Sequence, residues 1–488
     1  MSKIINFFKK NILLFLVMII SIPTFWRMLT PGIYSMQDFH FFRQLEFDKC
    51  VKALQIPCRW APDAGLGYGE PLFNFYGQAA YWIGEIYHLL GGSITGSVKF
   101  LFMLSLVGSS VGMFFLAKEI WKDYYSGIIS SVVYLYAPYR AVDVWVRGAL
   151  PEALAFILFP LILLAVEKRS LVWFSVLLSL LILTHNLSLI MFLPILVVWI
   201  VYRKFWKALI GGIISLFISA FYVLPVIFES KYIDLGSTIS GYFDFRAHFV
   251  TIYQIFISRF WGYGGSTWGS GDGLSLSIGI IQWALPLIIL LLILIKKKMA
   301  RNKDFLILVS SGLFYIFLTH NKSTFIWTHI PWFSYIQFPW RFLAIATFCL
   351  SLSSGAVIQF FEKKKIWITC LIIIAALILN FQFFREDIWY KVDDSYFTTG
   401  AEWVRQRSAS IADYWPTFGH AIPNLPSDGK YINYFPGWNF PPDKNGLIPA
   451  TGAIFSDTGV RRAGNMISLI SIVAFGFLLI KNKWIKKV

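Results

Sequence analysis

About twelve runs of mostly apolar residues, each near the roughly 20-residue length of a bilayer-spanning helix, punctuate this chain from end to end. Their approximate limits are 11–27, 97–117, 124–138, 150–166, 170–184, 187–202, 206–226, 274–295, 304–319, 342–361, 366–383 and 465–481. Composition agrees with the pattern. With 488 residues, 57% of them hydrophobic and 14% charged, and a mean hydropathy of +0.63, the chain carries more apolar surface than one water-soluble core can bury. The expected fold class is therefore an α-helical polytopic membrane protein.

Charge orients these helices. The net charge of +17 comes from 43 Lys+Arg against 26 Asp+Glu, and about half of the cations lie in short tracts between apolar runs. Examples are Lys118/Lys122, Lys168/Arg169, Arg203/Lys204/Lys207, Lys363/Lys364/Lys365 and the tail from Lys481 to Lys487. Short basic loops on alternate connections mark a cytoplasmic side and argue against nucleic acid as partner. Lys3, Lys9 and Lys10 precede the first run, which lacks a small-x-small cleavage site and reads as a retained helix. Both termini are then expected in the cytoplasm.

The opposite face receives the long segments 28–96, 139–149, 227–273, 320–341 and 384–464, with all seven histidines on or beside it. Segment 28–96 is aromatic and only moderately polar, which predicts one or two helices lying in the membrane interface. Segment 384–464 holds turn clusters such as Pro426-Ser427-Asp428-Gly429 and Pro436-Gly437 between strand-like pieces at 430–435 and 447–454, which predicts a small β-rich outer domain. The expected organisation is a transmembrane core over 1–383 with outer loops 28–96 and 227–273, the outer domain at 384–464, and a last helix with a basic tail at 465–488.

Candidate chemistry sits on that outer face. Asp38 stands about ten residues beyond the first run, among aromatics, where a carboxylate can take a proton from a hydroxyl, hold a divalent cation, or simply cap the next helix beside His40 and Arg43. Arg140, Arg147 and Glu152, then His185-Asn186, then Arg341 place charged or imidazole groups at helix ends facing one compartment. Arginines there suit bidentate contact with a phosphate, whereas snorkelling and helix capping are the plainer roles. Glu152 lies just inside a run, where a carboxylate calls for an arginine partner or a wet cavity. The alternating glycines Gly65, Gly67 and Gly69 follow no strand and read as a tight loop. Hydrolase, zinc-protease and P-loop motifs are missing from the sequence, and the apolar runs lack the polar interruptions of a transporter.

Asp38 to Arg43, Arg59-Trp60, Gly67-Tyr68-Gly69-x-Pro71, Phe75-Tyr76, the stretch 150–156, Thr184-His185-Asn186, the stretch 219–225 and Phe338-Pro339-Trp340-Arg341-Phe342 together resemble bacterial membrane proteins grouped as "6-pyruvoyl-tetrahydropterin synthase-related". The histidine cluster by which the pterin enzyme binds zinc has no counterpart in this sequence. The membrane family resembles instead the GT-C glycosyltransferases, and 434–438 resembles part of the distal β domain of related envelope-glycosylating proteins.

That resemblance implies a multi-helix core in a bacterial plasma membrane and a polyprenyl-phosphate sugar as donor. It implies an envelope glycan, polymer or protein as acceptor. Asp38 takes the place of the first-loop acidic residue, as catalytic base or metal ligand. Many GT-C members pair two acidic residues there, whereas Asp38 is followed by Phe39-His40, so a divalent cation (Mg or Mn) stays an open question and His40 is a candidate assistant. Arg43, Arg140, Arg147, Glu152, His185, Asn186 and Arg341 are the substrate-binding candidates. The alternative functions are a non-catalytic transporter or flippase of a lipid-linked saccharide and an envelope assembly protein. Cys50 and Cys58, eight residues apart on the outer side, are either bonded or buried thiols.

Overall fold

Short polar side chains flanking the apolar runs decide where the helices begin. Asp123 accepts hydrogen bonds from the Tyr125 and Ser126 amides at the start of Tyr124–Leu135. Ser93 and Ser170 cap Ile94–Trp121 and Leu171–Thr184 in the same way, satisfying amides that have no carbonyl partner in the first turn. This computed structural model describes residues 2–35, 38–269, 271–296, 302–408, 414–419 and 425–485, without the side chains of 2–11, 38, 296 and 478–485.

Among the described residues, seven helices are long and apolar enough to cross a membrane: Ile94–Trp121, Leu150–Glu167, Asn186–Arg203, Asn302–Thr319, Pro339–Phe360, Glu362–Phe383 and Gly459–Phe477. The pair Lys207–Ile218 and Ala220–Tyr232 makes an eighth if its 74° bend lies within one span. Ile12–Thr24, Tyr124–Leu135, Leu171–Thr184 and Ile280–Ile295 are apolar but shorter. The expected helix positions are thus occupied, while seven or eight, not twelve, have the length to span alone.

Ile94–Trp121, Leu150–Glu167 and Tyr124–Leu135 form the centre, where Gly108 and Gly112 lie against Ile157 and Pro160. Small residues at such a crossing let backbones approach where lipid supplies no hydrophobic drive between helices. Glu362–Phe383 and Gly459–Phe477 are instead mostly exposed, presenting Trp367, Leu371, Ile378, Leu469 and Ile470 outward, as lipid-facing helices do.

The first outer loop departs from the interfacial helices expected. Its helix Asp38–Lys52 is enclosed: Phe41, Phe42, Arg43, Gln44, Glu46, Phe47 and Asp48 are all buried. Part of the cover is local, with Phe73, Tyr81 and Trp82 against Phe47, and part comes from the outer segment, with Phe397 against Phe41 and Trp403 against Phe42. Segment 384–464 also carries less strand than its turn clusters suggest. Its described part contains two short helices, Asp394–Thr398 and Gly400–Ser408, and one antiparallel ribbon pairing Tyr431–Asn433 with Leu447–Pro449. The ribbon is also tied to the first loop, where the Asn433 amide donates to Tyr68 O at 2.7 Å and Asn433 Nδ2 to Gly69 O at 2.8 Å. Trp389–Tyr390 pairs with Ile33–Tyr34, and Asp394 accepts from the Ile94 and Thr95 amides, so the segment also caps a central helix.

Cys50 and Cys58 are joined, with Cα atoms 5.8 Å apart. Alkylation of denatured, unreduced protein is expected to modify Cys349 and Cys370 alone, and all four cysteines after reduction; labelling of Cys50 or Cys58 before reduction would contradict the bond.

Candidate functional site

Two long helices begin at the same place. Leu150–Glu167 and Asn186–Arg203 both open onto a cavity of about 620 Å³ whose wall includes Ala149, Pro151 and Glu152 from the first, and His185, Asn186 and Leu187 from the second. A helix N-terminus carries unpaired amides and roughly half a positive charge, so both ends favour an anion. Arg43, Arg147 and Arg341 line the same cavity. Against three guanidinium groups, Glu152 is the carboxylate on the described wall.

Arg147 is held from behind. Its Nη1 donates to Asp143 Oδ1 at 2.8 Å and to Glu152 Oε2 at 2.9 Å, and its Cζ lies 4.6 Å from the Trp340 ring. Glu152 also accepts from Tyr139 Oη at 2.6 Å. Burial, then the Glu152 charge, holds the Asp143 carboxyl above the usual carboxylate range.

Arg43 projects from the Asp38–Lys52 helix into an aromatic clamp, its Cζ 3.9 Å from the Phe39 ring and 4.1 Å from the Tyr76 ring. Such stacking orients a guanidinium without consuming its donors. Arg341 donates to Ile336 O at 2.8 Å and Gln337 Oε1 at 3.1 Å. Gln337 sits at φ +66°, ψ −51°, a conformation of order 1–3 kcal/mol above the ordinary regions, and is pinned through Nε2 to Thr238 O at 2.7 Å. The outer loop after the bent helix is thereby tied to the residue that aims Arg341.

On the far wall, His185 Nδ1 lies 2.7 Å from Ser188 Oγ, and Asn186 Nδ2 donates to Tyr222 Oη at 2.8 Å. Tyr222 Oη in turn donates to Phe75 O at 2.7 Å. Gly77 makes this junction possible, because a Cβ there would come within 2.3 Å of Thr184 O. Burial, with Arg341 and Arg147 adding to it and Glu152 opposing, lowers the His185 imidazole to about 4.

Six of the nine candidate residues, Arg43, Arg147, Glu152, His185, Asn186 and Arg341, therefore meet around one space. Arg140 does not reach it. Its guanidinium points into the helix core, 4.0 Å from the Phe156 ring, and donates to the Ser105 and Ala153 carbonyls. His40 lies beneath the wall, with Nε2 2.6 Å from Gly148 O and Nδ1 3.0 Å from Tyr81 Oη. The carbonyl fixes the proton on Nε2 and the Nδ1 lone pair accepts from the tyrosine, so both ring nitrogens are engaged and His40 positions the loop before Leu150. Burial and Arg43 lower it to about 3.

Asp38 opens the Asp38–Lys52 helix, and its side chain lies outside the described residues, as does His420. Asp143, Tyr139, Tyr222, Tyr76 and Gln337 complete the site without having been singled out for it; the i, i+4 spacing of Asp143 and Arg147 was the one available signal. Among the described residues no three His, Cys, Asp or Glu side chains gather as a metal site, and Glu152 is committed to Arg147 and Tyr139. The described wall does not fit a resident divalent cation.

No protein-family model matches the chain, and no curated protein matches it. The pterin-synthase-related grouping is accordingly not shown. Its fold resembles that of arabinofuranosyltransferase AftD from Mycobacteria, with a TM-score of 0.52 and 13% identity over 81% of this chain. A mutant form of that enzyme, also from Mycobacteria, gives a TM-score of 0.52 and 15% identity over 81%. This chain spans 28% and 30% of the length of those two proteins. The likeness is one of fold, and with the apolar helices it supports a multi-pass membrane protein.

Proposed function

We propose that this chain is a membrane glycosyltransferase that moves a sugar from a polyprenyl-phosphate donor to a cell-envelope acceptor on the extracytoplasmic face of a bacterial plasma membrane, with both termini cytoplasmic. The observation that carries the reading is the convergence of three arginines and two helix N-termini on a 620 Å³ cavity, within a fold like that of an arabinofuranosyltransferase. A phosphodiester carries one negative charge. When the acceptor oxygen bonds to the anomeric carbon, the bond from that carbon to the phosphate oxygen breaks, its electron pair stays with phosphate, and a second charge appears there. Arg43, Arg147 and Arg341 stabilise that charge in a site of low dielectric. The acceptor's proton goes to the Asp38 carboxylate, placed at the start of the helix that carries Arg43.

The test is transfer from a panel of labelled polyprenyl-phosphate sugars to envelope acceptors, using membranes with the protein and membranes without it. Gain of label supports the reading. Transport of the lipid-linked sugar across vesicles with no transfer from any donor would replace it with the carrier reading. Within the assay, Arg341→Gln is expected to lower transfer roughly a hundred-fold, the scale for losing one preorganised donor to a developing oxyanion. Arg140→Gln should act chiefly on stability, because Arg140 faces Phe156 and not the cavity.

A further inference from the structure

The transfer step doubles the charge on a phosphate inside a cavity that already holds an imidazole. Arginines, with fixed charge, already attract the monoester dianion more than the diester. A group whose own charge responds to the phosphate adds to that preference, which is what stabilising the transition state requires.

His185 is placed for that. It is the residue before the Asn186–Arg203 helix, it lines the cavity, and among the described residues its ring is anchored at one nitrogen, with Nδ1 2.7 Å from Ser188 Oγ. The charged groups that face it are Glu152 from the Leu150–Glu167 helix, Arg147 from the preceding loop and Arg341 from the Pro339–Phe342 turn, with Arg43 on the same cavity wall. Two adjacent guanidiniums and burial outweigh one carboxylate, so the ring is neutral before an anion arrives. A dianion beside it reverses that balance. Other cavity groups cannot respond in this way: Glu152 is bonded to Tyr139 and Arg147, and Tyr222 Oη is engaged on both sides.

We infer that His185 takes up a proton from solvent as a phosphate dianion forms in the cavity, and then donates from Nδ1 to Ser188 and from Nε2 to the phosphate. His185 thereby binds the monoester leaving group in preference to the diester donor. The inference deepens the phosphate-binding part of the proposed function and depends on it.

Sulfate and methyl sulfate are suitable probes, because one is a dianion and the other a monoanion across the neutral range. Calorimetry on the purified full chain in detergent, in buffers of differing ionisation enthalpy, counts protons taken up per anion bound. Sulfate is expected to bring close to one proton and to bind about ten-fold more tightly at about pH 6 than at about pH 8, with methyl sulfate changing by less than about two-fold. His185→Gln should retain sulfate binding and lose both the proton and the pH slope. Sulfate binding with no proton uptake by the unmodified protein overturns the role of His185, as does an unchanged slope in His185→Gln. Absence of sulfate binding altogether overturns the anion cavity itself, and with it the phosphate part of the proposed function.

Discussion

Membranes carrying Asp38→Asn at wild-type protein level are expected to transfer sugar about 10²- to 10⁴-fold more slowly, the range for losing a general base. Asparagine keeps the shape and the capping capacity of aspartate at the first residue of Asp38–Lys52, so insertion and folding should be unchanged. What it removes is the lone pair that takes a proton from the acceptor hydroxyl. Arg43, one turn and a half further along the same helix, faces the cavity, which brings proton acceptor and phosphate site onto one rigid element. Asp38→Glu should recover part of the rate. Full transfer by Asp38→Asn would leave the enzyme standing and remove Asp38 as its base.

Helix ends were the legible part of this site. Arg147, Glu152, His185, Asn186 and Arg341 are polar residues where apolar runs stop on one side of the membrane, and a shared compartment follows from that topology alone. Which way each side chain turns does not follow. Arg140 and Arg147 both follow the Tyr124–Leu135 helix, yet one turns onto Phe156 inside the bundle and the other onto Trp340 at the cavity. The turn-rich outer segment misled for a related reason. Its Gly and Pro clusters signal breaks, but several groups between them bond to residues 66–69, and no local pattern announces a partner more than 300 positions away. Part of the enclosure of Asp38–Lys52 was invisible on the same ground, because Phe397 and Trp403 of the outer segment cover Phe41 and Phe42.

Glu229→Ala is expected to destabilise the protein by about 3–5 kcal/mol, the cost of stranding a buried guanidinium. Glu229 ends the Ala220–Glu229 helix, which lines the cavity through Tyr222 and Val226. Its Oε2 accepts from Arg461 Nε at 2.9 Å and Asn74 Nδ2 at 2.8 Å, and its Oε1 accepts from Thr458 Oγ1 at 2.6 Å. Arg461 reaches on to Pro436 O at 2.8 Å and stacks between Phe435 and Phe455. One carboxylate therefore ties the cavity wall to the first outer loop, the outer segment and the last helix, across 232 positions of sequence. Both partners are buried, with 2% exposure for Glu229 and none for Arg461, so water cannot replace the lost bonds. Arg461→Met should cost a similar amount. Because each single change leaves the other charge uncompensated, the double variant should cost less than the sum by at least about 1 kcal/mol, a coupling that denaturant unfolding in detergent can measure. Single costs below about 1 kcal/mol would mean that the apolar contacts of Phe435 and Phe455 hold this junction without the ion pair.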